Sequence, residues 1–187
     1  MNITFDVAST DEHFEQIIQL QKQNHSSLIS EEQQADQGFV YAQHTVPLLK
    51  KMASQLPQVI ALSDAKVIGY NLALPRSMKY EIPSLTPMFE QFEKSEYKGK
   101  PLPSYKFVIG GQVCVDKDYR GHGLMSRLYQ ETRNRVLLSG HQLCVTEVAV
   151  RNVVSLNAHI KMGFEIVSTY HDGKELWKVV VWDFAKA

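Results

Sequence analysis

The stretch Gln112-Val-Cys-Val-Asp-Lys-Asp-Tyr-Arg-Gly-His-Gly-Leu-Met-Ser-Arg127 passes from one kind of secondary structure to another within a few residues. Its first part closes an apolar run from Tyr105 to Val115, broken by Gly110-Gly111, which reads as a long strand. Its last part opens a segment from about Gly123 to Leu138, with Leu124, Leu128, Thr132 and Val136 along one face and Gly140 behind it. That spacing predicts a helix. Asp116 to His122 is the loop between them. Glycine at positions 121 and 123 lets a backbone come close to a ligand. A helix start offers unpaired N–H groups and the positive end of a dipole. Lys117, Arg120 and Arg127 add charge, so the turn suits a phosphate. The plainer alternative is a tight strand-to-helix turn that simply needs glycine.

Working outward, Leu143 to Val150 reads as a strand, and Asn152 caps a short helix with Leu156 and Ile160 on one face, ended by Gly163. Phe164 to Tyr170 is a strand, Asp172-Gly173 a hairpin turn, and Leu176 to Phe184 the last strand. Upstream, Gln58–Leu62 and Lys66–Leu74 form a hairpin around Ser63-Asp64-Ala65. Thr86-Pro87 starts a helix holding Met88, Phe89 and Phe92, and residues 95–104 read as a loop. At the N-terminal end, Ile3, Phe5 and Val7 alternate as a strand, and Ser9 with Glu12 is spaced as a capping box for a helix bearing Phe14, Ile17 and Ile18. Residues 25–44 are polar and acidic, with a second helix start at Ser30; Thr45 with Pro47 opens a third helix carrying Val46, Leu49 and Met52. This order predicts an α/β fold. Its sheet is mixed, mostly antiparallel and twisted, of about seven strands, with helices on both faces and one domain over 1–187.

The totals exclude several classes. Of 187 residues, 44% are hydrophobic and 21% charged, ordinary for a globular chain. Lys+Arg and Asp+Glu are 20 each, so the basic excess usual in a nucleic-acid binder is missing. No apolar run approaches the ~18 residues of a membrane span, and Met-Asn-Ile-Thr-Phe-Asp is not a signal peptide. The expectation is a cytoplasmic protein with no membrane partner. Cys114 and Cys144 sit in apolar runs and read as buried, reduced thiols; no Cys/His cluster has metal-ligand spacing, so no metal is expected.

Which phosphate ligand follows from spacing. The P-loop pattern is absent. Gly121, Gly123 and Ser126 nearly match a dinucleotide fingerprint, but Arg120 stands five positions after Val115, and the chain beyond is too short for two mononucleotide halves. Arg120-Gly-His-Gly-Leu-Met125 resembles instead the Q/R-x-x-G-x-G/A signature of the GNAT (GCN5-related N-acetyltransferase) superfamily, with Met125 at the final small position. Asn152-Val-Val-Ser-Leu-Asn-Ala-His159-Ile-Lys-Met-Gly163-Phe164 resembles that family's second motif, N-x-x-[AS]-x-x-x-Y-x-x-x-G-F, with His159 at the Tyr position.

The resemblance implies acetyl-coenzyme A as cosubstrate and an amine as acceptor. It assigns the pyrophosphate to Arg120, Gly121, His122, Gly123, Leu124 and Met125. The acetyl-pantetheine arm falls to backbone groups of Val113, Cys114 and Val115, with Asn152 and Ser155 beside it. Acetyl transfer needs an amine freed of its proton, donors for an oxyanion and a proton for the departing thiolate. Glu147 lies mid-strand, where a charge is costly unless it faces an opening. By resemblance to the ribosomal-protein N-terminal acetyltransferases, Glu147 is the base and His159 the acid. Gln112 would orient a water or the acceptor. The resemblance places the acceptor between residues 25–44, with Glu31, Glu32 and Asp36, and residues 170–175, with Tyr170, His171 and Asp172. Acidic residues there favour a cationic amine. The rival from another class is a non-catalytic acyl-coenzyme A-binding or regulatory module. A homodimer is left open.

Overall fold

Burial alternates along β1 (Ile3–Val7), the period of a strand with one covered face. The inner strands β2 (Val59–Ser63), β3 (Lys66–Leu74) and β5 (Leu143–Ala149) are buried nearly throughout, which explains their continuous apolar runs. In the computed structural model, which describes residues 2–186, these join β4 (Phe107–Val115), β6 (Glu165–His171) and β7 (Leu176–Asp183) in one sheet. The strand order is β1-β2-β3-β4-β5-β7-β6. Every neighbouring pair is antiparallel except β4 and β5, so the sheet is mixed and mostly antiparallel as expected.

One face is covered by α1 (Asp11–Asn24), α3 (Val46–Ala53) and α4 (Thr86–Lys94). There Phe14, Ile17, Leu49, Met52 and Phe89 pack with Tyr70, Leu72, Val145 and Val179. The other face carries α5 (Leu124–Leu137) and α6 (Val153–Lys161). Tyr129, Val136 and Phe164 meet Cys144, Val180 and Trp182 there, while Leu124 and Leu128 meet Val59 and Ile68. The short α2 (Glu31–Gln37) packs against α6.

Two local expectations shift. The cap of α1 is Thr10, whose hydroxyl accepts from His13 N at 3.2 Å; the Ser9 amide turns instead to His13 Nδ1. The segment 95–104 is not a plain loop but holds a small hairpin pairing Glu96 with Pro101 and Tyr97 with Lys100. Tyr97 donates to Glu165 at 2.8 Å, and Gln91 and Ser95 reach Ser168, so the insertion between β3 and β4 is pinned to β6. Its apolar residues Met78, Met88, Phe92 and Leu102 complete the core on the α1 face.

The feature that positions the site is a parting of β4 from β5. The two strands pair only over Phe107–Ile109 against Leu143–Val145. The β3 register then slips past Gly111, from Gln112 opposite Leu72 to Gly110 opposite Ala73. Such a bulge bends a strand, and a Cβ on Gly111 would lie 3.2 Å from Leu74 Cβ. Beyond it Gln112–Val115 follow β3 while Thr146–Ala149 follow β7. Thr146 Oγ1 donates to the Gly110 carbonyl at 2.6 Å across the apex of the gap.

Candidate active site

The gap opens into a cleft with two chambers, of about 240 and 220 Å³, which share Phe39, Val40, Val113 and Ser155 at their junction. A strap formed by residues 37–44 crosses there, tied down along its length. Arg120 Nη1 donates to Gln37 O, Asn152 Nδ2 to Phe39 O at 3.0 Å, and Gln112 Nε2 to Ala42 O at 2.9 Å. Val40 N donates to Asn24 O and His44 N to Gln21 Oε1 at 2.8 Å. Gln21 and Tyr70 also donate to Gln112 Oε1, so both ends of the Gln112 amide are taken. Gln112, which also lines the second chamber, thus holds the strap. Strand alternation would not have revealed this; the clue was the apolar Gly38–Ala42 run inside a polar stretch.

The first chamber carries the glycine turn. Gly121 and Gly123 have φ of 79° and 72°, and a Cβ on either would meet nothing within 4 Å. Glycine is needed for the backbone shape, and the space beside it is open. No side chain caps α5 at Gly123, so the first-turn amides from Leu124 onward face a polar ligand or solvent. Val113, Cys114, Val115, Gly121, Gly123, Leu124 and Met125 line this chamber, and Ser155 joins from α6. His122 does not line it; its side chain is exposed.

Arg120 borders the chamber but is committed elsewhere. Its Nε donates to Val115 O at 3.0 Å, Nη1 to Gln37 Oε1 at 3.1 Å, and Nη2 to Asn24 Oδ1. It ties the end of β4 to α1 and α2. Asn152 is likewise engaged at both ends, capping α6 through Ser155 N and holding Phe39. Just past β4, Asp116 N donates toward β3, to Ile68 O at 2.8 Å. The alternation of an antiparallel ladder turns the Val113 and Val115 amides to the other side, into the gap.

The second chamber brings Glu147 and Tyr170 together: the Tyr170 hydroxyl donates to Glu147 Oε2. Burial raises the Glu147 carboxyl to about 7, the Tyr170 hydrogen bond opposes this, and the nearby Asp172 charge adds to it. Burial and the Glu147 charge together raise the Tyr170 phenol above its usual range. Across the gap, His159 Nδ1 lies 2.7 Å from Ser155 O and must carry the proton toward that carbonyl. Burial lowers His159 to about 4, so it is neutral at pH 7. Its Nε2 therefore accepts from the Tyr129 hydroxyl at 2.9 Å. The imidazole has no N–H left for a sulfur, which departs from the acid role expected of it. Tyr129 was not foreseen; the signal was a tyrosine on the buried face of α5, whose hydroxyl needs a partner. A Cβ on Gly110 would sit 3.2 Å from that hydroxyl.

Glu31 and Glu32 are not brought to the cleft. Both are exposed in the first turn of α2, where negative charge complements the helix end. The N-terminal half of the second chamber is built instead by Phe39, Tyr41, Ala42 and Gln43.

The two thiols are inert. Burial pushes Cys114 and Cys144 up to about 12, leaving almost no thiolate at neutral pH. Iodoacetamide at pH 7.5 is expected to leave both unmodified in the folded protein and to label both after denaturation. Rapid labelling of Cys114 in native protein would contradict the closed packing of β4 against Tyr70.

Comparison with known proteins agrees with this fold. The acetyltransferase (GNAT) family model matches residues 15–164, and the chain belongs to that family. The fold matches a chain of the NatC complex bound to Gag peptide and CoA, at 16% identity and a TM-score of 0.65, over 98% of this chain and 99% of that one. It also matches the ribosomal-protein-S18-alanine N-acetyltransferase from Escherichia coli, at 11% identity and 0.61 over 97% and 94%. A Salmonella typhimurium protein solved with its cofactor acetyl-CoA matches at 12% identity and 0.62 over 97% and 93%. No curated protein matches by sequence. Among the described residues, no helix is long and apolar enough to cross a membrane.

Proposed function

We propose that the protein transfers an acetyl group from acetyl-coenzyme A directly to a primary amine. What carries this reading is the parted β4–β5 gap, with an uncapped glycine-flanked helix start at one end and a buried carboxyl held near neutrality at the other. The cosubstrate supplies the acetyl group as an activated thioester. The open space at Gly121 and Gly123 and the amides opening α5 suit its pyrophosphate. The Val113 and Val115 amides are available to its arm and carbonyl oxygen.

Glu147 as carboxylate takes a proton from the acceptor ammonium. The freed nitrogen bonds the acetyl carbon while the carbon–sulfur bond breaks. The nitrogen gives up a second proton and the sulfur gains one, so the reaction releases one proton overall. Tyr129 lines the gap and takes the donor role that the resemblance gave to His159: as the carbon–sulfur bond breaks, its one O–H turns from His159 Nε2 to the departing sulfur. His159 is a positioning residue, fixed by Ser155 and orienting Tyr129.

Thermal unfolding tests the ligand. Acetyl-coenzyme A at about 100-fold over its dissociation constant is expected to stabilise by about 2.7 kcal/mol, a Tm rise on the order of 5–10 °C for this length. NAD and ATP serve as controls. A rise with NAD alone, or none at all, would overturn the coenzyme assignment.

A further inference from the structure

The acceptor chamber has an uneven chemistry. Tyr41, Leu85, Met88 and Trp177 wall it with apolar surface, and two of these belong to the insertion between β3 and β4. Tyr41 and Trp177 meet edge to face, centroids 5.2 Å apart. The indole is fixed by its Nε1 donating to Asp172 Oδ2 at 3.0 Å. Against this apolar surface stand two carboxyls, Glu147 and Asp172. Asp172 is already the acceptor for the amides of Lys174 and Glu175 as well as the indole. Among the described residues lining the chamber, none is Lys or Arg, and the single imidazole, His159, has both nitrogens engaged.

An anion beside the reacting amine would thus meet two carboxyls and no cation, in a site partly withdrawn from water. A second ammonium would lie against aromatic and aliphatic wall, with its one remaining carboxylate already hydrogen-bonded. One ammonium on an apolar body meets neither problem: Glu147 faces the nitrogen, and the wall takes the rest. We propose that the acceptor is a primary amine on an apolar, often aromatic, body with no carboxylate or phosphate beside the amine, and that the β3–β4 insertion selects it. This inference rests on the acetyl-transfer reading above. Two sources share that chemistry: a free arylalkylamine, and a peptide N-terminus whose first residue is apolar, since there the neighbouring carbonyl is a neutral amide.

The test is thiol release from acetyl-coenzyme A with a panel of amines: 2-phenylethylamine, phenylalanine amide, a peptide beginning with phenylalanine, free phenylalanine, and spermidine. The kcat/KM for phenylalanine amide is expected to exceed that for free phenylalanine and for spermidine by about 50-fold, the scale of leaving a charge unpaired in a partly buried site. Preference for the peptide assigns a protein N-terminus; preference for 2-phenylethylamine assigns a free amine. Equal or better turnover of phenylalanine or spermidine overturns the inference and leaves acetyl transfer standing. Turnover of none of the panel, with the coenzyme still raising Tm, also overturns it. Absence of any coenzyme-induced Tm rise removes the underlying reading instead. Leu85, half-buried on the insertion, provides a second check. Leu85→Arg is expected to raise the ratio of phenylalanine to phenylalanine amide turnover at least 10-fold, and an unchanged ratio removes the insertion from acceptor selection.

Discussion

Glu147→Gln is expected to lower kcat/KM for amine acetylation by two to three orders of magnitude, the usual contribution of a positioned general base, and to make the folded protein more stable at pH 8. Both effects come from one environment. The carboxyl lies mid-strand on β5 beside the gap, hydrogen-bonded by Tyr170, and burial raises it to about 7. Activity needs the ionised form, so wild-type kcat/KM rises with pH through about 7, and that limb disappears in the variant. Stability runs the other way. Between the ordinary carboxyl value near 4.5 and about 7, the unfolded chain has lost this proton while the folded chain keeps it. Folding stability therefore falls as pH rises through that window, and the loss is complete above it. Gln removes the penalty at the cost of part of the Tyr170 hydrogen bond. The net gain at pH 8 is on the order of 1–3 kcal/mol, read as a Tm increase of about 3–8 °C. Below pH 4.5 the two proteins should melt together. A variant that retains activity and the same pH limb assigns the base elsewhere.

Arg120→Ala separates the phosphate role expected from the motif from the role the fold gives this side chain. Its guanidinium joins Val115 O, Gln37 and Asn24, three segments that frame the first chamber. Hydrogen bonds from a charged donor are worth more than neutral ones, and water replaces part of them at a half-exposed position. The expected loss is about 2–3 kcal/mol, or on the order of 5–10 °C in Tm without ligand. Acetyl-coenzyme A should still stabilise the variant, because the backbone amides of the turn remain. An unchanged Tm without ligand, together with a hundredfold weaker coenzyme affinity, would show that Arg120 contacts phosphate directly.

The two motifs were legible because each is local. Gly121 and Gly123 must adopt positive φ, Asn152 must cap a helix, and Gly163 must close it; all four are visible within a few residues. The gap was half legible, since Gly110-Gly111 marked a break in the strand without saying which neighbour it parts from. The roles of Gln112, Arg120 and His159 were not legible. Each is a polar side chain with several donors or acceptors, and its partner lies on another element far along the chain. Gln21, 91 residues from Gln112, could not be paired with it in advance. The acidic Glu31 and Glu32 drew attention by charge, yet charge at a helix start is satisfied locally. The apolar residues Phe39 and Tyr41, less conspicuous in sequence, line the cleft instead.

Most of the element order, the strand and helix periods, the family and the turn that suits a pyrophosphate were readable along the chain. Those properties depend on backbone conformation and side-chain period, which neighbouring residues dictate. The tautomer of His159, its meeting with Tyr129, the partners of the Arg120 hydrogen bonds and the wall that the insertion lends the second chamber came from the packing of distant elements. Those depend on burial and on pairing across the sheet, where a donor's role is set by whichever acceptor the fold brings within about 3 Å of it.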